Sequence, residues 1–209
     1  MAPIFVIDKK PHYGTFVIIR PMTQGKLIFV SGLTGAGKTT LVGKALGGIE
    51  NLEVLLTYTT RPKRAGEESS YEYVFVNDEG YDAAKNQSSN WDETIYKGYR
   101  YASDAAKFIK DLENGVNVIV AVTPSLEDMQ AMERIYKTRP TTIWINTDPI
   151  TAASRVNKDK TRAQRSEDES VKYKFDVIFE PTGQLDHDAK RFISLVNGII
   201  SGKDTLVSR

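Results

Sequence analysis

One eight-residue stretch, Gly32 to Thr39, constrains the fold more than any other part of the sequence. It reads Gly-Leu-Thr-Gly-Ala-Gly-Lys-Thr and matches the pattern G-x-x-x-x-G-K-[ST]. The apolar run 27–30 before it predicts a buried strand, and residues 38–46 after it predict a helix that Gly47 and Gly48 end. Strand, glycine loop and helix in this order predict a loop that binds phosphate at the end of a parallel strand. The alternative is a glycine-rich turn with an exposed lysine.

The residue types in this loop suit the phosphates of a nucleoside triphosphate. Glycines let backbone N–H groups turn towards phosphate oxygens, Lys38 reaches the β and γ phosphates as a catalytic group, and the hydroxyl of Thr39 suits Mg²⁺. The residues predicted to bind the phosphates are Gly32, Thr34, Gly35, Ala36, Gly37, Lys38, Thr39 and Thr40.

The rest of the chain alternates between predicted strands and helices, which is typical of an α/β fold with a parallel sheet and helices on both faces. Strands are predicted at 54–56, 118–122, 142–145 and 176–179, and helices at 103–113, 126–136, 149–156 and 189–196. Ser103 and Asp148 are the predicted helix caps, and Asn114-Gly115 is the predicted end of the first of these helices.

Two segments interrupt the alternation, residues 57–102 and the basic run 158–165. In the first, Arg61 and Arg64 stand three residues apart and are followed by Tyr71 and Tyr73. Arginine binds phosphate with a two-pronged geometry, so we predict a second anion site here. The alternative is a solvated loop.

The string T-T-R-x-x-R-x-G-E, with a tyrosine six residues later, resembles the guanylate kinase family, as do Trp91-Asp92-Glu93 and residues 98–103. The resemblance runs from about Lys26 to the last helix. It implies that Arg61, Arg64, Tyr73 and Tyr101 hold the phosphate of a nucleoside monophosphate, and that Thr57 and Ser103 contact guanine. Asp92 matches the acidic residue that accepts hydrogen bonds from guanine, and Glu93 would take that role if the match to the family contains an uncounted gap. A carboxylate suits this role because it only accepts, and guanine presents two adjacent donors, its N1–H and its amino group.

The sequence departs from the family at three places, of which the mildest is Ala102, where a glycine is expected before Ser103. The family's D-x-D pair is replaced by Ala121-Val122-Thr123, so base or sugar preference is open and Mg²⁺ would rest on Thr39, phosphates and water. The lid, at about 158–168, is short. It retains Arg162 and Arg165, which we predict to be catalytic, with Arg155 as the alternative.

The predicted organisation is a P-loop NTPase-type guanylate kinase-like domain at 26–209, with its core at 26–56 and 103–209 and a small acceptor lobe at 57–102. Residues 1–25 form an appendage that reads as a β-hairpin. We predict an ATP- and Mg²⁺-dependent kinase that phosphorylates GMP, dGMP or a close purine analogue. A kinase of another phosphorylated acceptor, such as a ribose bisphosphate, and an inactive binding module are the alternatives.

Composition excludes several other classes. The net charge of +1 gives no reason to expect nucleic acid or a membrane as a partner, and the chain has no Cys and two distant His, which argues against structural zinc. No stretch reaches the roughly 18 apolar residues that a membrane span needs. We expect a cytoplasmic protein, monomeric or homodimeric, whose partners are small nucleotides.

Overall fold

The strand before the glycine loop lies at the centre of a five-stranded parallel sheet. The computed structural model describes residues 6–7, 17–18, 24–64, 67, 70–121, 133–135, 137–157 and 174–203. Its strands are β1 (Val6–Ile7), β2 (Val17–Ile18), β3 (Leu27–Gly32), β4 (Leu52–Val54), β5 (Thr57–Thr59), β6 (Tyr73–Phe75), β7 (Trp91–Tyr96), β8 (Tyr99–Asp104), β9 (Asn117–Ala121), β10 (Thr141–Ile145) and β11 (Val177–Phe179). The helices are α1 (Lys38–Gly48), α2 (Asp78–Gln87), α3 (Ala105–Glu113), α4 (Pro149–Asn157) and α5 (Leu185–Ile200).

The central sheet has the order β11-β10-β3-β9-β4, and every neighbouring pair is parallel. All residues of β3 are buried, as the continuous apolar run predicts. Ile28 and Val30 pack with α1 and α5 on one face, while Leu27 and Phe29 pack with α3 on the other. The predicted α/β architecture with helices on both faces is confirmed.

The acceptor segment forms a second, four-stranded sheet with the order β6-β5-β8-β7. Strands β5 and β6 are parallel, and the other two pairs are antiparallel. Helix α2 lies between β6 and β7 in the chain, and the side chain of Asn77 caps it by accepting from the N–H of Gly80 at 2.9 Å. The sequence predicted a lobe here but none of these strands or this helix.

Several predicted boundaries were wrong. Ser103 is not a helix cap, because it lies in β8; Asp104 caps α3 and its Oδ1 accepts from the N–H of Lys107. The strand expected at 54–56 is β4, which instead covers residues 52–54. It lies at the edge of the sheet, so its residues alternate between buried Leu52 and exposed Glu53 and do not form a continuous apolar run. Helix α1 continues through Gly47 and Gly48.

Other predictions fall partly outside the described residues. Of the helix expected at 126–136, only residues 133–135 are described, and they are helical. In the N-terminal appendage, β1 and β2 pair in antiparallel fashion, with Val6 opposite Ile18. None of the helices in the described ranges is both long and apolar enough to cross a membrane.

Candidate active site

The phosphate loop turns through three glycines with positive φ. Gly32, Gly35 and Gly37 have φ values of 142°, 89° and 98°, a region that favours glycine. At Gly32 the need is also steric, because a Cβ there would lie 2.6 Å from the carbonyl oxygen of Ile145. The loop is therefore a tight backbone cradle that leads into the N-terminus of α1, where four helical N–H groups lack partners within the helix.

Lys38 lies over this cradle. Its Nζ donates to the carbonyl oxygens of Gly32 at 2.6 Å and Leu33 at 3.0 Å. The ammonium group is thus held at the mouth of the loop, where phosphate oxygens would replace carbonyls as its acceptors. Thr39 and Thr40 follow in the first turn of α1.

Two residues distant in sequence brace the loop. The buried hydroxyl of Thr147 donates to the carbonyl of Ala36 at 2.9 Å, and a guanidinium nitrogen of Arg155 on α4 donates to the carbonyl of Gly35 at 3.1 Å. Arg155 was predicted only as an alternative lid arginine, and Thr147 was not predicted at all. Arg162 and Arg165 lie outside the described residues, so their catalytic role stays a prediction.

A cavity extends from the loop, and its volume of about 500 Å³ is within the usual range for small-molecule sites. The cavity is lined by residues 34–41, Arg155, Pro181, Gly183, Leu185 and Asp188. These residues follow the carboxyl ends of β3, β10 and β11, the usual location of a ligand in a parallel α/β sheet.

Asp188 also lines the cavity, and it was not among the residues predicted from the sequence. Its carboxylate accepts from the N–H and hydroxyl of Thr182, both at 2.9 Å, and from the N–H of Gly183 at 3.0 Å. Burial alone would raise the pKa of Asp188, but these donors and Arg191 outweigh it and lower the pKa. In the sequence, the only indication of these contacts is that a carboxylate stands six residues after the threonine of a Thr-Gly pair.

Five of the predicted acceptor residues lie on one face of the second sheet. Thr57 pairs with Tyr73, Thr59 with Tyr101, and Asp92 with Ser103, and paired residues point to the same side. We call this side the acceptor face; it carries Thr57, Thr59, Tyr73, Phe75, Asp92, Tyr101 and Ser103. The strand register therefore brings side chains from Thr57 to Ser103 onto one face of the sheet.

The opposite face packs against α2. Trp91 and Tyr58 contact each other there with ring centres 5.1 Å apart, and the buried Tyr81 of α2 packs edge-on to Trp91 at 5.5 Å. The guanidinium of Arg100 lies 3.9 Å from the centre of the Tyr81 ring. This packing leaves the acceptor face on the side away from α2.

Arg61 lies against the acceptor face and is only 7% exposed. Its guanidinium makes two bonds to the carboxylate of Glu67, at 2.8 and 3.1 Å, and lies 5.4 Å from the centre of the Tyr73 ring and 5.2 Å from that of Phe75. Glu67 also accepts from the backbone N–H of Arg64 at 2.9 Å. Glu67 therefore orients Arg61 and the turn that carries Arg64, a role that the sequence motif contains but that we did not assign.

The charges around Arg61 are coupled. Burial would lower the pKa of Arg61, but its contacts with Glu67 and Tyr101 outweigh that and raise it, so the guanidinium stays charged. Burial raises the pKa of Tyr73, and Glu72 raises it further, so the Tyr73 hydroxyl stays protonated and can donate. The arrangement offers a fixed cation and hydroxyl groups to an anion.

Asp92 and Glu93 point to opposite faces. Asp92 lies on the acceptor face opposite Ser103, and burial raises the pKa of its carboxyl group. Glu93 lies on the α2 face, where it accepts from Lys85 at 2.8 Å and from the Tyr81 hydroxyl at 3.3 Å. The structure thus places Asp92, and not Glu93, beside Thr57, Tyr101 and Ser103.

The missing D-x-D pair falls at the carboxyl end of β9. Ala121 pairs there with Val30, is partly buried and packs against the core under α1. Val122 and Thr123 lie outside the described residues. In the described ranges no group of three or more His, Cys, Asp or Glu side chains is arranged to hold a metal. The assignment of Mg²⁺ to the Thr39 hydroxyl stays a prediction.

Comparisons with known proteins agree with this fold. The family model described as guanylate kinase matches residues 24–189. A guanylate kinase of Rubrobacter xylanophilus is 29% identical over 147 residues, which are 70% of this chain and 74% of that one. A guanylate kinase of Caldanaerobacter subterraneus subsp. tengcongensis is 26% identical over 196 residues, which are 89% of this chain and 91% of that one. The crystal structure of guanylate kinase from Anaplasma phagocytophilum shares the fold, with a TM-score of 0.56 at 15% identity over 85% of this chain and 87% of the other.

Proposed function

The chain belongs to the guanylate kinase family of nucleoside monophosphate kinases, and we propose that it transfers the γ-phosphate of ATP to GMP, dGMP or a close purine analogue. The observation that carries this proposal is the acceptor face, which brings Thr57, Tyr73, Asp92, Tyr101 and Ser103 to one side of the sheet. The buried Arg61 lies against Tyr73 on this side. A separate cavity beside the phosphate loop is available to the donor. Two anion sites of different construction fit a kinase that binds two nucleotides.

The acceptor phosphate would bind at Arg61, Arg64, Tyr73 and Tyr101. Glu67 occupies the Nη1 and Nη2 end of Arg61, so a phosphate would bind along the guanidinium edge formed by Nε and the second hydrogen of Nη2. The ion pair and the two aromatic rings hold that edge in place, so it loses little further freedom when it binds phosphate. Tyr73 keeps its proton because burial raises the pKa of its hydroxyl, and it would donate to a phosphate oxygen. These residues position the acceptor oxygen for in-line attack, which is the main protein contribution to phosphoryl transfer.

The base would lie beside Asp92, Thr57 and Ser103. Ionised Asp92 accepts from the N1–H and the amino group of guanine, whereas adenine presents an acceptor at the first of these positions and is disfavoured. A partly buried carboxylate discriminates well, because a wrong base would leave it without donors.

The donor phosphates would bind in the loop. The backbone of Gly35 and Gly37 and the N-terminus of α1 would hold the β-phosphate, and Lys38 would stabilise the charge that develops on the γ-phosphate. Arg155, which already reaches the carbonyl of Gly35, would add positive charge, as would Arg162 and Arg165 from the lid. Mg²⁺, held by Thr39, would neutralise charge on the phosphate oxygens.

A coupled ADP-release assay tests the proposal. Purified protein is given ATP and Mg²⁺ with GMP, dGMP, AMP, UMP, TMP or ribose phosphates. We expect turnover with a guanine nucleotide at the highest kcat/KM of the panel. Turnover with a ribose bisphosphate alone would identify a sugar kinase, and ATP binding without transfer to any acceptor would indicate a binding module; either result refutes the proposal.

A further inference from the structure

Tyr71 lies at the contact between the acceptor lobe and the phosphate-loop helix. It precedes β6 by two residues, and Tyr73 of β6 belongs to the acceptor face. The Tyr71 hydroxyl donates to the backbone carbonyl of Thr39, in the first turn of α1. One side chain therefore bridges the proposed acceptor and donor sites.

A glycine in α1 makes room for the Tyr71 ring. A Cβ placed on Gly43 would lie 2.9 Å from Cε1 of that ring, closer than a real Cβ approaches a neighbouring atom. Glycine inside a helix costs about 1 kcal/mol relative to alanine, so its presence here is explained by the close approach of the ring. Gly47, one turn later, has no atom within 4 Å of the corresponding position.

The chain beside Tyr71 is fastened to the acceptor sheet. The carbonyl of Glu72 accepts from the N–H of Thr57 at 2.8 Å, and the N–H of Val76 donates to the carbonyl of Thr59 at 3.0 Å. Burial raises the pKa of Tyr71, and the charge of Glu72 raises it further, so its hydroxyl stays protonated and remains a donor. A displacement of α1 would thus be transmitted through Tyr71 to β5 and β6.

We propose that Tyr71 is a positioning residue that sets the distance between the acceptor strands and the donor loop. This inference rests on the proposed function. The acceptor residues belong to a separate sheet, and phosphoryl transfer needs reacting atoms about 3–3.5 Å apart, so a contact that spans both sites controls how often they align. Tyr71 touches neither reacting atom; it acts through Thr39 on one side and Tyr73 on the other.

The first test compares Tyr71→Phe with wild type. Removing one neutral hydrogen bond should lower kcat about 2- to 10-fold, while the dissociation constants of ATP and GMP measured separately stay unchanged. Hydrogen exchange without nucleotides should show faster exchange of the Thr57 amide and of residues 73–75 by a similar factor. Unchanged kcat together with unchanged exchange would overturn the inference.

The second test uses the two helix glycines as a matched pair. Gly47→Ala should raise the melting temperature through helix propensity and leave kcat unchanged, because its methyl group enters open space. Gly43→Ala should displace the Tyr71 ring and reproduce the kcat loss and the faster exchange of Tyr71→Phe. If the two glycine variants behave alike, the inference fails. The exchange readout needs no turnover, so absence of guanine turnover in wild type would refute the proposed function without refuting the contact.

Discussion

Neutralising Asp92 and Glu93 one at a time gives a sharp test of the acceptor face. The two carboxylates are adjacent in β7 and point to opposite sides of the sheet. Asp92→Asn changes a group that would read guanine, whereas Glu93→Gln changes a group that binds Lys85 and Tyr81. Each substitution removes one charge and keeps the side-chain length, so the pair controls for charge and size.

The expected loss for Asp92→Asn follows from its hydrogen bonds. Hydrogen bonds to a charged group contribute about 1.5–3 kcal/mol each, and an amide retains one acceptor oxygen while presenting an NH₂ group to a guanine donor. The net loss is about 3 kcal/mol, which corresponds to about a 100-fold fall in kcat/KM for GMP. Glu93→Gln should leave kcat/KM within about 2-fold, because it alters only the far face.

The two variants should rank in the opposite order for stability: Glu93→Gln, which keeps its activity, should lose stability, and Asp92→Asn, which loses activity, should not. Burial raises the folded-state pKa of Asp92, so its ionised form destabilises the fold above the unfolded-state pKa, and Asp92→Asn should keep or raise the melting temperature. The hydrogen bond from Lys85 lowers the pKa of Glu93, so Glu93→Gln should cost stability, at most about 1 kcal/mol for an exposed pair.

Steady-state kinetics with GMP and thermal denaturation of both variants supply the readouts. A fall in kcat/KM of equal size in both variants, or a fall only in Glu93→Gln, would refute the assignment of the acceptor face.

Four further substitutions test other parts of the site. Lys38→Met should reduce kcat at least about 100-fold with an intact circular dichroism spectrum, because it removes charge stabilisation at the γ-phosphate; loss of folding would show that the lysine is structural. Arg61→Lys should raise the KM of the acceptor at least about 10-fold without changing ATP affinity by calorimetry, because an ammonium cannot replace the fork; weaker ATP binding would contradict this. Burial would raise the pKa of Glu67, but Arg61 and the Arg64 N–H lower it below the ordinary value of 4.5. The stability advantage of wild type over Glu67→Gln in urea should therefore be present at neutral pH and shrink as the pH falls below 4.5, and a constant difference would refute the coupling. Thr147→Val should lower the free energy of unfolding by about 1–3 kcal/mol and raise the KM of ATP, because it leaves the buried carbonyl of Ala36 without a donor; Thr147→Ser should restore both.

The phosphate loop and the parallel sheet could be predicted because their signals are local. Glycine spacing, the apolar run of β3 and the following helix are contiguous in sequence, and the structure places them as expected. The error at Ser103 arose because two adjacent polar residues, Ser103 and Asp104, could each cap the helix. The error at β4 arose because an edge strand tolerates a charged residue, here Glu53.

The acceptor face could not be derived from spacing, because it depends on the register of four short strands. A shift of one residue in β7 would have exchanged Asp92 and Glu93 between the two faces. Thr147 and Arg155 reach the loop from 111 and 120 positions away, and no local pattern marks such contacts. Family resemblance named most of the acceptor residues, and the sheet shows how their side chains are grouped.

The transfer of phosphate from ATP to a guanine nucleotide is the central proposal, and ³¹P NMR of the reaction mixture measures that transfer directly. With ATP, GMP and Mg²⁺, we predict that ATP and GMP disappear in equal amounts while ADP and GDP appear in the same amounts, and that Lys38→Met abolishes both changes. Conversion of ATP to ADP and inorganic phosphate with GMP unchanged, or no conversion of any guanine nucleotide, would contradict the account.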